Sequence, residues 1–153
     1  MRKRTKRKIW STEIKPIAHA IAGACVTDQP LLDKLRLAEL AALDAMSKGL
    51  GSVQDWRSLA DMVNICETMA DNGIGPEASP YCTALQEDLI AAAHRFEKTG
   101  RMGLTGKGLN AAKEVFAYHD VQRVSIARSE YQRMIDKTRN RIKSNHHKVV
   151  TIK

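Results

Sequence analysis

At 153 residues, 43% of them hydrophobic and 27% charged, the chain is long enough to form one domain with a core that needs no stapling metal or disulfide framework. Its three cysteines, Cys25, Cys66 and Cys82, are odd in number and contain no Cys-x-x-Cys pair, which argues against a disulfide scaffold and for a reducing, cytoplasmic compartment. The formal charge of +8 is unevenly placed: residues 1–15 hold seven Lys/Arg against one acid, residues 120–153 nine against three, and the middle nine against thirteen. Basic ends on an acidic body allow the chain to bind a polyanion or the acidic body of a second copy.

In chain order, residues 1–9 read as a disordered basic arm built on Arg2, Lys3, Arg4, Lys6, Arg7 and Lys8, too charged to fold alone. A secretory signal ending in Ala22-Gly23-Ala24-Cys25 is disfavoured, because Glu13, Lys15, Pro16 and His19 interrupt its apolar region. Pro16 suits the first position of a short helix over 16–25 that buries Ile17 and Ile21. A second start at Thr27-Asp28-Gln29-Pro30 opens a helix over 31–46, rich enough in Leu, Ala and Met to be expected as the central one. Lys48-Gly49 stops it.

Ser52-Val53-Gln54-Asp55 is a capping-box variant that starts a third helix, expected to bury Val53, Trp56, Ala60, Val63, Cys66 and Met69 and to stop at Asn72-Gly73. Ser79-Pro80 starts a fourth, with Tyr81, Leu85, Leu89, Ala92 and Phe96 at helical spacing as far as Thr99-Gly100. The last segment, 106–143, reads as one long helix. Ala117, Val121, Val124, Arg128, Tyr131, Ile135, Thr138 and Ile142 line one face, and Leu109, Ala112, Phe116 and His119 make a second apolar line in its first half. The expectation is a single-domain, all-α helical bundle of four long helices plus a short N-terminal helix over 10–143, followed by a basic tail over 144–153. No run approaches the roughly 20 apolar residues of a membrane span.

The chemical motifs fail on inspection. Gly103-Leu104-Thr105-Gly106-Lys107-Gly108 has Arg101 where a phosphate loop needs its first glycine and Gly108 where it needs Ser or Thr, so it reads as a connector capped by Thr105. His19, His94 and His119 sit on different helices without metal-ligand spacing, and the tail pair His146-His147 adds none, so no metal or other cofactor is expected. The cysteines lie on apolar faces, where a thiol is inert, and no acid–base pair is visible, so the chain is not read as an enzyme. The helices either side of Lys48-Gly49-Leu50-Gly51-Ser52 have a helix-turn-helix outline, with Gln54, Arg57 and Ser58 at the right place, but Asp55 and Asp61 would repel phosphate.

Around Trp10-Ser11-Thr12-Glu13-Ile14-Lys15-Pro16 and Thr99-Gly100-Arg101-Met102-Gly103-Leu104-Thr105-Gly106 the chain resembles uncharacterised small helical proteins carried by phages and other mobile elements of proteobacteria. The resemblance spans residues 10–142 and excludes the tails. It implies an accessory role of the kind exercised on nucleic acid or a host protein.

Two functions are therefore weighed. The first is a nonenzymatic nucleic-acid binder that holds the phosphate backbone through the arm residues and through Arg133, Lys137, Arg139, Arg141, Lys143 and Lys148. The second is a protein–protein module, a homo-oligomer or a binder of a host protein, that uses an apolar seam at Val124, Tyr131 and Ile135 where the last helix outruns its bundle.

Overall fold

The structure, a computed structural model, describes residues 29–144. The helix expected over 16–25, the arm residues Arg2, Lys3, Arg4, Lys6, Arg7 and Lys8, the thiol Cys25, the ring of His19 and the tail residue Lys148 lie outside them. The described residues are all-α: α1 (Gln29–Ser47), α2 (Val53–Asp71), a short 3-10 turn (Pro76–Ala78), α3 (Ser79–Thr99), α4 (Gly106–Ser125) and α5 (Arg128–Lys143). Among them there is no strand, only a single bridge between Gly51 and Met102.

The helix boundaries follow local chemistry. Ser52 caps α2 in a reciprocal box, its hydroxyl accepting from the Asp55 amide while the Asp55 carboxylate accepts from the Ser52 amide at 2.7 Å. Pro80 sits in the first turn of α3, and Gly100 closes that helix in the left-handed region at φ 69°. Thr105 caps α4 by accepting from the Gly108 amide at 3.1 Å.

The central helix is α2, not the leucine-rich α1. It alone packs against every other helix, and it buries residues on most of its circumference, including Trp56, Leu59, Met62, Val63, Cys66 and Met69. Its Trp56 indole donates to the Leu89 carbonyl at 2.8 Å, tying α2 to α3 in the core. By contrast α1 packs chiefly on α2 and α4 and leaves Leu31, Leu37 and Leu40 exposed. Leucine content alone did not distinguish a helix buried all round from one with an apolar outer face.

The long helix expected over 106–143 is broken. After Ser125 the backbone of Ile126 and Ala127 is extended, with ψ of 158° and 151°, and α5 starts in a new direction against α2. No glycine or proline marks the break. Burial supplies the reason: Ile126 packs against a small second cluster of Met69, Tyr131 and Met134, joined by Ile65, Ile74 and Ile135. A β-branched side chain loses little in extended backbone and gains that contact.

The core face of α4 also departs from the expected line. Gly108, Ala111, Ala112, Val115, His119, Gln122 and Arg123 are buried, whereas Val121 and Val124 face water at 63% and 43% exposure and Ala117 is exposed too. The second line fares better, with Ala112 and His119 buried and Leu109 and Phe116 half-buried.

Candidate nucleic-acid interface

Besides the second apolar cluster, buried polar side chains hold α5 in place. Arg123, near the end of α4, points into the protein with its side chain 2% exposed, and its Nη1 donates to Glu39 Oε2 of α1 at 2.9 Å while Nη2 pairs with Oε1. Its Nε donates to the Tyr131 hydroxyl of α5 at 3.2 Å, so one guanidinium ties three helices together. Burial works against that charge, but the hydrogen bonds and opposite charge of Glu39, with help from Tyr131, outweigh it and raise the Arg123 pKa above its ordinary value.

A second polar group fixes the other end of α5. Arg141 donates to Thr68 Oγ1 at 2.6 Å and to the buried Glu67 carboxylate at 3.0 Å, and Glu67 also accepts from Gln86 of α3 at 2.8 Å. The Thr138 and Thr68 hydroxyls lie 2.9 Å apart. Buried polar groups are tolerated because nearly all are paired, and pairing requires α5 to sit in this register.

The site residues read from sequence therefore divide. Arg133, Lys137, Arg139 and Lys143 are exposed on the outer face of α5, together with Arg128. Arg141, read from sequence as one of the phosphate contacts, is turned inward to Glu67 with its side chain only 18% exposed. The exposed cations make light contacts: Arg133 pairs with Glu130, Arg139 lies 3.6 Å from Asp136, and Lys137 donates to Asn72 Oδ1 at 2.6 Å. Such surface contacts contribute about 0–1 kcal/mol each and exchange readily for a phosphate. Between α2 and α5, Thr68, Asp71, Asn72, Lys137, Asn140, Arg141 and Ser144 line an open groove of about 450 Å³.

The apolar seam is used within the chain. Tyr131 is buried and Ile135 half-buried in the second cluster, and of the three residues only Val124 remains exposed. α5 does not outrun the rest of the fold, because the break at Ile126 lays it on α2.

The glycine-containing connector has a defined role without a phosphate. Asp88 of α3 accepts from the Thr105 amide at 2.8 Å and from its hydroxyl at 3.0 Å, and a Cβ at Gly108 would collide with the same carboxylate. The anion position at the start of α4 is thus filled by the protein's own Asp88.

His119 is fully buried, with Nδ1 2.9 Å from the Gln122 amide oxygen and Nε2 without a hydrogen-bond partner among the described residues. Burial, then the charge of Arg123, pulls its pKa down to about 3 against the opposing Gln122 hydrogen bond, so the ring is neutral. Gln122 in turn donates to the Cys66 and Ile74 carbonyls at 3.3 and 2.7 Å. Cys66 and Cys82 are free and buried, and contact with Cys66, followed by burial, pushes the Cys82 thiol well above its ordinary pKa. His94 is exposed, and no group of three or more potential metal ligands occurs among the described residues. Nor is any described helix long and apolar enough to cross a membrane. In the helix-turn-helix outline, Asp55 is committed to the α2 cap and Ser58 to the Gln54 carbonyl at 3.0 Å.

Sequence reasoning missed Glu39, Glu67, Gln86, Gln122 and Arg123. A signal existed for the first two: Glu39 shares a helical row with Leu32, Ala42 and Met46, and Glu67 lies in a run of core residues on α2. A lone charge in a core row points to a buried partner elsewhere in the chain.

Fold and surface together define an all-α protein whose last described helix presents a basic outer face. No protein-family model, curated protein or solved structure matches the chain.

Proposed function

We propose that the chain is a nonenzymatic nucleic-acid-binding accessory protein of a phage or mobile element, acting in the cytoplasm without a cofactor and holding the phosphate backbone through its basic ends. The observation that carries this reading is the distribution of charge. α5 has six Lys/Arg against two acids, whereas residues 29–127 have ten against thirteen, and five of the six cations on α5 are exposed. Arg133, Lys137, Arg139 and Lys143 remain the phosphate contacts on α5, Arg128 joins them, and Arg141 acts as the strut that holds the helix. The arm residues Arg2, Lys3, Arg4, Lys6, Arg7 and Lys8 and the tail residue Lys148 add contacts in the same reading. About five phosphates engaged on duplex DNA give a log–log salt slope of roughly −4 to −5.

Fluorescence anisotropy of labelled duplex DNA, single-stranded DNA and RNA, titrated with the full chain at three salt concentrations, tests this. Submicromolar binding that weakens steeply with salt, and that falls on joint replacement of Arg133, Lys137, Arg139 and Lys143 by Gln, is the expected result. Absence of binding at low salt refutes it.

A second reading, a protein–protein module forming a homo-oligomer or binding a host protein, is supported by exposed Leu37 and Leu40 on α1 and by Val121 and Val124 on α4. Concentration-dependent mass that Leu37→Glu abolishes is its signature.

A further inference from the structure

The outer face of α5 has an internal order that backbone neutralisation alone does not require. On a helix of about 3.6 residues per turn, Ser129, Gln132, Asp136, Asn140 and Lys143 fall in one row, in steps of three and four residues. Arg128 and Arg139 lie along one side of that row, and Arg133 and Lys137 along the other. All nine side chains are exposed. Four of the five row positions carry hydroxyl, amide or carboxylate groups, with the Gln132 amide donating to Asp136 at 3.2 Å, and cations sit on both flanks.

We propose that α5 enters the major groove of duplex DNA, with Ser129, Gln132, Asp136 and Asn140 of the row reading base edges, and with Lys143 at its end and the two flanks holding the phosphates of the two strands. This rests on the nucleic-acid reading above and adds to it the polymer, the groove and a division of labour among the residues. A helix about 10–12 Å across with its side chains fits a groove about 12 Å wide. Gln132 and Asn140 offer the paired donor and acceptor that match adenine, and Asp136 accepts from cytosine. The helix is unobstructed on this side, since among the described elements α5 packs chiefly on α2. The net acidic remainder of the described chain repels phosphate and so favours contact through α5. A-form RNA has a major groove too deep and narrow for such a helix, and a single strand has no groove for the flanks to straddle.

The test is selection from a randomised duplex DNA library by the full chain, followed by titration of the selected and scrambled duplexes, a single strand and duplex RNA. A selected sequence bound at least about tenfold tighter than scrambled DNA is expected. Gln132→Ala with Asn140→Ala reduces that ratio to within about twofold while leaving scrambled-DNA affinity nearly unchanged. Arg128→Gln with Lys137→Gln weakens both duplexes alike and lowers the salt slope by about two. All four residues are exposed, and circular dichroism verifies that the variants fold. Duplex binding without sequence preference, a preference that survives Gln132→Ala with Asn140→Ala, or stronger binding to a single strand or RNA overturns the groove proposal alone. No binding to any polymer at low salt overturns it together with the reading beneath it.

Discussion

Replacing Glu39 by alanine is expected to destabilise the fold by about 3–5 kcal/mol, the usual cost of leaving one buried charge without its partner. The geometry places this pair at the severe end of ion-pair behaviour. The side chains of Arg123 and Glu39 are 2% and 9% exposed, and among the described residues the guanidinium would keep only the Tyr131 hydroxyl as a partner. For a chain of this size, 4 kcal/mol corresponds to a fall in Tm of about 8–16 °C. Urea denaturation followed by circular dichroism measures the effect, and an unchanged m-value shows that the change lies in stability rather than in the extent of unfolding. The Arg36–Asp120 pair joins the same two helices with side chains 22% and 30% exposed, and it serves as a control. Asp120→Ala should cost no more than about 1 kcal/mol, because water screens that pair. A joint Glu39→Leu and Arg123→Met change should recover most of the loss, since an apolar replacement of both partners strands no charge. A loss below about 1 kcal/mol for Glu39→Ala, or a double variant as weak as the single, would refute the account of Arg123 as a buried tie between α1, α4 and α5.

Two further predictions concern the interior. His119 stays neutral in the fold with its pKa near 3, while in the unfolded chain it titrates near 6.5. Between those values the unfolded state binds a proton that the folded state does not, so stability is fully present above about pH 6.5 and is lost as pH falls, by about 1.4 kcal/mol per unit. Urea midpoints at pH 7, 6 and 5 reveal this slope, and His119→Leu flattens it; a slope that survives the substitution belongs to other groups. Gly108→Ala places a methyl group against the Asp88 carboxylate and is expected to cost about 1–3 kcal/mol in thermal or urea melts. Asp88→Ala relieves the clash, so the double variant loses less than the sum of the two single changes.

The sequence was most legible where a local rule decides the structure. The cap at Ser52 and Asp55, the Thr105 cap and the Gly100 stop are set by side chains within a few residues of the boundary, and each forms as its chemistry implies. Trp56, Ala60, Val63, Cys66 and Met69 were legible as core for a similar reason, because they form an apolar row at helical spacing on α2. The last third of the chain was not, because tertiary contacts decide it. In its second half α4 exposes two valines and buries a histidine, a glutamine and an arginine, so there the apolar residues point away from the true inner face. Identifying that face requires knowing that Glu39 of α1 is opposite Arg123. Likewise nothing local breaks the helix at Ile126; the cluster around Met69 on α2 does. On the candidate surface the cations were legible as charge, but the inward turn of Arg141 depends on Glu67, seventy-four residues earlier.

That same distance shapes the order in which the molecule assembles. α1, α2, α3 and α4 each pack on a neighbour in the chain, so their contacts close short loops and form early and at little entropic cost. The seat of α5 is different: Lys137 reaches Asn72, Thr138 reaches Thr68 and Arg141 reaches Glu67, all closing loops of more than sixty residues onto a helix that must already be in place. α5 is therefore expected to dock last and to lift first. Its amides are expected to exchange with solvent through an opening that costs less than global unfolding, while α2 exchanges only when the whole chain unfolds.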